Sequence, residues 1–290
     1  MKKSILKTFL YIVGILLICY PLCARFIEYK NQTKSVYNYK KEIAIMEEKE
    51  LENRLEKAEK INNEKSTDIL IVKENEIGNE IVSEHDFLKE GEIFGYIRIP
   101  KLNIELPIYE GTTIDNLEKG VTHMENTSLP NGMTGTHCVL AGHTGILRAE
   151  IFDNIDKLEI GDEFFVNFLG NNNRYTIINK EIVWPDDTKD LKIEQDKCLV
   201  TLVTCTPRSI NSHRLLVTAK LDNIEENNTD KNIEDTIIAN ENIEEKSNLD
   251  ILQAYLKNNI FKIVIIAAII ILIIMLEILS NRKKGEKYEK

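Results

Sequence analysis

The alternation of apolar and polar positions changes character several times along the chain. Residues 8–24 form an apolar run without a charge, preceded by Lys2, Lys3 and Lys7 and followed by Arg25. That length fits a short membrane-spanning helix or the apolar core of a signal peptide. Leu22 and Ala24 make a poor cleavage pair, and Leu16-Leu-Ile-Cys19 lacks the small residue expected before a lipidated cysteine. The run therefore reads as an uncleaved signal anchor. A second apolar run, residues 260–279, is almost solid Ile, Leu, Val and Ala, with Lys262 able to snorkel to an interface and Glu277 near its end. It is apolar on every face with no partner large enough to bury it, which predicts a second span. Arg282, Lys283 and Lys284 follow, and the positive-inside rule then puts both termini in the cytoplasm and everything between them outside.

Between the two runs the pattern first reads helical. Over residues 36–63, Glu, Lys, Ala and Leu dominate without Gly or Pro, and Ile43, Met46, Leu51, Leu55 and Ala58 recur at spacings of three to five. So narrow a stripe suits a stalk or a helix lying on a partner surface; the simplest reading is a solvated spacer. Residues 66–90 are polar, charged and weakly patterned, as in a linker. From Gly91 onward the pattern is that of strands. Short β-branched and aromatic runs at 94–100, 103–109, 138–141, 163–168, 174–178, 199–204 and 214–218 are separated by Gly, Pro, Asn and Asp. Only 113–118 and 149–156 suggest short helices. Many short strands with few helices predict a mainly β, closed or partly closed barrel. Residues 222–245 are rich in Asn and acids, a disordered tether. The expected organisation is thus an anchor at 1–25, a helical stalk and linker at 26–90, a barrel at 91–221, an acidic tether at 222–258, a second transmembrane helix at 259–280 and a basic tail at 281–290.

Composition refines this little. The net charge of −10 is carried largely by the linkers, and no basic stripe with interleaved aromatics appears, which argues against nucleic acid as a partner. Of five cysteines, Cys19 and Cys23 lie in the first apolar run, leaving Cys138, Cys198 and Cys205 outside it. Three thiols in so long a region are not a disulfide scaffold. Cys138 and Cys198 would approach each other if their strands were neighbours, but two separately buried thiols is the plainer reading.

The candidate chemistry starts with Thr201-Leu-Val-Thr-Cys205-Thr-Pro207, a cysteine ending an apolar run, and Arg214 on the next run. Thiol chemistry needs a thiolate, a proton donor for the leaving group and a positive group for the developing oxyanion. His123, His137, His143 and His213 are the histidines to consider. His143 sits at a strand end in Leu140-Ala-Gly-His-Thr-Gly145, with glycines on both sides to relax the backbone. His213 adjoins Arg214, so on a strand the two face opposite sides. Taken singly, each residue has a plain alternative: a buried inert thiol for Cys205, a surface ion pair for Arg214, a structural imidazole for His143.

Together these segments resemble the sortases, cysteine transpeptidases anchored on the outer face of Gram-positive membranes. The resemblance rests on Thr201-Leu-Val-Thr-Cys205, Leu140-Ala-Gly-His-Thr-Gly145 and Arg214. Within the family it is nearest to class C, the pilin polymerases, through Cys205-Thr-Pro-Arg-Ser-Ile-Asn-Ser-His-Arg214, Trp184-Pro-Asp-Asp-Thr-Lys-Asp-Leu191, Gly95-Tyr-Ile-Arg-Ile-Pro-Lys101 and Thr127-Ser-Leu-Pro130. It implies a sortase-like barrel flanked by two transmembrane helices and needs no metal or organic cofactor. It implies that Cys205 attacks the Thr–Gly bond of a Leu-Pro-x-Thr-Gly-like sorting signal, that His143 protonates the leaving amine and that Arg214 stabilises the oxyanion, with Thr204 and Thr206 shaping the substrate pocket. The thioacyl enzyme would pass to an amine, a pilin lysine or, in a wall-anchoring sortase, a peptidoglycan amine. A catalytically idle, membrane-tethered module that only docks sorting signals is the alternative from another class. Two departures stand out. Class C sortases usually carry an Asp-Pro-aromatic lid motif, and here Asp86-Phe87 is the nearest imitation; and Thr144 follows the histidine where an arginine is common.

Overall fold

The β-branched and aromatic runs pair into one closed sheet. In the computed structural model, which describes residues 2–65, 87–222 and 248–285, the strands are β1 (Ile93–Ile99), β2 (Ile104–Glu110), β3 (Val121–His123), β4 (Thr136–Ala141), β5 (Glu163–Phe168), β6 (Asn171–Val183), β7 (Cys198–Thr206) and β8 (His213–Leu221). Around the barrel they stand in the order β1-β2-β3-β4-β7-β8-β6-β5, and β5 closes on β1. The β2–β3 and β4–β7 pairs are parallel and the others antiparallel. Closure removes the sheet's open edges.

Period-two alternation then sorts the side chains. Cys198, Val200 and Leu202 of β7 turn into the main core with Phe94, Ile97, Leu140 and Val217. Val203 turns the other way and joins Val139 and Leu216 in a small second cluster, covered by Met124, Val183 and Leu191. All seven runs read as strands are strands. The three-residue β3 is too short to show a period, and β6 runs on to Val183. The expected helix at 113–118 is α3 (Ile114–Lys119), whose Thr113 cap accepts the Asn116 N–H at 3.3 Å. The one expected at 149–156 is absent apart from a 3₁₀ turn at Ile155–Lys157. Ile151, Phe152, Ile155 and Leu158 are all buried in the core, which draws this segment inward as bends.

The chain divides into two units, Asn31–Glu245 and Met1–Lys30 with Lys246–Lys290. In the first, the reading of residues 36–63 as a solvated spacer gives way to helices packed on the barrel wall. These belong to α1 (Lys2–Ile45) and α2 (Glu48–Lys65). Val36, Tyr39, Ala58 and Ile61 are buried, and Ile43, Leu51 and Leu55 pack against the main core. The narrow apolar stripe is matched to the strands beneath it. The Tyr39 hydroxyl donates to the Phe94 carbonyl at 2.9 Å and accepts the Leu169 N–H at 2.9 Å. Burial pushes its pKa well above the ordinary phenol value. Asn62 accepts the Leu129 N–H at 2.8 Å and donates to the Leu129 carbonyl and to Asn131 Oδ1, both at 2.9 Å. Residues 66–86, with Asp86 of the lid imitation, lie outside the described residues. Phe87 packs against the main core and lies under the Arg54 guanidinium.

In the second unit, α4 (Asn248–Gly285) begins well ahead of the expected boundary at 259, so residues 248–258 are helix. The reason is an i, i+4 stripe: Ile251, Tyr255 and Asn259 are buried, and Tyr255 packs on the Phe26 and Tyr29 rings at 5.3 and 5.7 Å. Among the described residues no single helix is long and apolar enough to cross a membrane. Asn248–Ile260 and Ile263–Ile271, bent by 73°, qualify together by length and composition.

Candidate active site

The barrel order places β7 between β4 and β8, so the three candidate residues sit on three adjacent strands or their ends. Cys205 near the end of β7 is the direct antiparallel partner of Arg214 on β8. Directly opposed residues share a face with Cβ atoms about 4.5–5.5 Å apart. Below them on that face stand the pairs Val203–Leu216 and Thr201–Thr218. On the other flank β4 runs parallel to β7, with Ala141 opposite Val203. That register continues one residue beyond the strand, to Gly142 beside Thr204, and His143 follows it. Two hydrogen bonds hold the continuation. The Gly142 N–H donates to the Val203 carbonyl at 3.0 Å, and the Thr204 hydroxyl donates to the Gly142 carbonyl at 2.7 Å.

The other histidines are committed elsewhere. His123 is fully buried, with Glu110 Oε2 2.8 Å from Nδ1 and the Ser128 carbonyl 3.2 Å from Nε2. His137 donates from Nδ1 to the Lys192 carbonyl at 2.8 Å, which leaves Nε2 to accept from the Thr201 hydroxyl at 2.7 Å. Burial lowers its pKa below the ordinary 6.5. His213 stacks on Trp184 at 4.3 Å, and its Nδ1 meets Ser212 at 2.9 Å. His143 is half-buried, and among the described residues its ring alone of the four makes no hydrogen bond. Arg214 is anchored through Nη1, which donates to the carbonyls of Asn211 at 3.2 Å and His213 at 3.1 Å. Nε and Nη2 have no protein partner among the described residues and are available to an anionic oxygen.

The two glycines beside His143 do different work. A Cβ on Gly142 would lie 2.5 Å from Cδ2 of the buried Phe152 ring, so this glycine serves close packing. Gly145 has φ +79°, in the left-handed region, and supplies the conformational freedom expected of both. The segment folds back on itself as the Phe152 N–H donates to the His143 carbonyl at 3.0 Å.

Beside Cys205 opens a cavity of about 220 Å³ lined by Thr144, Phe152, Asp153, Thr204, Thr206 and Arg208 among others. Both threonines thus border the site, with the hydroxyl of Thr204 occupied by Gly142. Asp153 and Arg208 escaped the sequence reading, because nothing periodic marks two residues paired only by the fold. A larger hollow of about 510 Å³ lies at the start of α2, lined by Glu47, Lys49, Glu50, Glu52, Asn53 and Glu56 and by no cysteine or histidine. Cys138 and Cys198 are buried free thiols. They are offset by two residues along the parallel β4–β7 pair, about 8 Å between Cα atoms and too far to bridge. Burial raises the pKa of Cys198, which accepts from Thr136 at 3.4 Å. Among the described residues no three His, Cys, Asp or Glu side chains gather as a metal site.

Comparison with known proteins bears on the family. Residues 97–222 match the family model of the sortase domain. Sortase C of Clostridium perfringens, solved with its C-terminal cell wall sorting motif, is 37% identical, with 66% of this chain aligned to 99% of that one at a TM-score of 0.59. Sortase C of Streptococcus pneumoniae is 35% identical at a TM-score of 0.57, the alignment covering 65% of this chain and 96% of that chain. Sortase D of Bacillus subtilis is 37% identical over 119 residues, which are 41% of this chain and 57% of the relative's length.

Proposed function

The chain belongs to the sortase family, and from that membership we propose that it is a membrane-anchored, extracellular transpeptidase of the class C type. Its substrate is a Leu-Pro-x-Thr-Gly-like sorting signal, and its acyl acceptor is a pilin lysine. The observation that carries this reading is the direct pairing of Cys205 with Arg214 on β8, with β4, the strand that leads into His143, on the other flank of β7.

The Cys205 thiolate attacks the threonine carbonyl carbon of the Thr–Gly bond. Nε and Nη2 of Arg214 take the charge that moves onto the carbonyl oxygen. As the tetrahedral centre collapses the C–N bond breaks, and the departing glycine nitrogen takes a proton from the protonated His143 ring. The thioester that remains is attacked by an amine, His143 accepts the amine's proton, and the Cys205 thiolate leaves. Thr206, beside the cavity, contacts the substrate, whereas Thr204 acts through the histidine loop. A module that merely docks sorting signals has no need of Cys205, His143 and Arg214 in this arrangement.

The charge pattern of the termini supports a two-span layout, with residues 8–24 as anchor and the bent α4 pair as the second span. The test incubates the full chain in detergent micelles with a Leu-Pro-x-Thr-Gly peptide and, separately, a pilin-type lysine peptide and a peptidoglycan amine, with products followed by mass. We expect a thioacyl adduct on Cys205, its loss in Cys205→Ala, and an isopeptide product with the lysine peptide. Product with the peptidoglycan amine alone would reassign the protein to wall anchoring. Neither adduct nor cleavage would reject the enzyme.

A further inference from the structure

Asp153 and Arg208 form a contact that the reaction above does not use. The Asp153 side chain is 3% exposed and ion-paired to an Arg208 side chain that is 52% exposed. Its Oδ1 accepts twice, from the Gly145 N–H at 3.1 Å and from Arg208 Nη2 at 2.5 Å. The same Nη2 donates to the Asp153 main-chain carbonyl at 2.9 Å. Oδ2 is buried with no hydrogen bond.

Burying a carboxylate with half of its acceptor capacity empty costs stability, and an arginine half in water returns little of it. Stability therefore does not account for the pair. Its position does. Gly145 is two residues past His143, and Arg208 is three past Cys205. Asp153 closes the segment that leaves His143, since its neighbour Phe152 already bonds the His143 carbonyl. Gly145 also rests against the arginine stem, where a Cβ would meet Arg208 Cγ at 3.1 Å. Asp153, Arg208 and Cys205 line one cavity.

We infer that Asp153 and Arg208 are a positioning pair, a clamp that fixes the His143 loop against the loop after Cys205 so that the imidazole reaches the leaving nitrogen. This rests on the transpeptidase reading and adds residues to it. The clamp acts through His143, so its loss falls on the step that needs a proton donor. Misplacing a general acid by about an ångström costs roughly ten- to hundredfold.

The test compares two substrates on the full chain in micelles. One is the Leu-Pro-x-Thr-Gly peptide, whose amine must be protonated to leave. The other carries a thioester in place of the Thr–Gly amide, and its thiolate leaves without a proton. In Asp153→Asn and Arg208→Gln, kcat on the amide should fall by about ten- to hundredfold. KM, and the rate of acylation by the thioester read as thiol release in a single turnover with no amine added, should stay within about threefold, and Arg208→Lys should recover most of the amide rate. Arg208→Gln changes a half-exposed side chain and serves as the variant that folds if Asp153→Asn does not. Equal losses on both substrates, or no loss on either, overturn the clamp while leaving the wild-type chemistry standing. A wild-type chain that turns over neither substrate overturns both.

Discussion

Gly142 and Thr204 illustrate how much of the site rests on contacts a single residue cannot advertise. Gly142→Ala puts a methyl carbon 2.5 Å from the Phe152 ring, and overpacking of this kind costs about 1–3 kcal/mol. The segment that must shift carries His143. A lower urea midpoint together with a fall in kcat is therefore expected, and retention of both would discount the close approach. Thr204→Val keeps the shape but removes the donor to the Gly142 carbonyl. Turnover should fall while KM for the signal peptide changes by less than about twofold; a rise in KM at constant kcat would mean that Thr204 binds substrate instead. Cys205, His143 and Arg214 were legible because each sits in a local string of residues tied to a strand end. Asp153 and Arg208 were not, since no string contains both and their meeting depends on where two loops end.

At the scale of elements, strands were easier to read than helix partners. Seven runs carried β-branched residues between turn signals, and the barrel wall follows from them. The pairing order did not, because the parallel β4–β7 contact, from whose end the His143 loop leaves, joins strands far apart in sequence. The amphipathic stripe of residues 36–63 was visible too, but a stripe does not say what it faces. Here Asn62 of α2 satisfies both main-chain groups of Leu129, in the segment between β3 and β4. Asn62→Ala would leave the buried Leu129 N–H unpaired, at about 1–3 kcal/mol, while the Leu129 carbonyl keeps the Asn131 N–H at 2.9 Å. Hydrogen exchange should then show the Leu129 amide losing protection, and an unchanged rate there would mean that α2 is dispensable to that segment.

For the whole molecule, the buried His137 ties acidity to stability. Its folded value lies below the ordinary 6.5, so above that pH neither state binds the proton and the residue contributes no pH dependence. As pH falls through 6.5 the unfolded chain takes up the proton first, and stability declines until the folded value is reached. The unfolding midpoint of the wild type should therefore drop on acidification below about 6.5 more steeply than that of His137→Gln. Parallel curves would assign the decline to carboxylates.

The docked helices also decide where the chain can be cut. Composition changes abruptly at Gly91, which makes that residue the natural first choice for a soluble fragment. A fragment begun there lacks Leu88, a fully buried core residue, and lacks Tyr39, whose hydroxyl joins the Phe94 carbonyl to the Leu169 amide. Each orphaned buried group costs about 1–3 kcal/mol, against a total of about 5–15 kcal/mol for an ordinary domain. A fragment begun at Asn31 keeps every one of these contacts. The smallest self-supporting piece of this protein is longer at its front than its barrel, and a tryptic nick between α2 and β1 should leave the two pieces associated under native conditions.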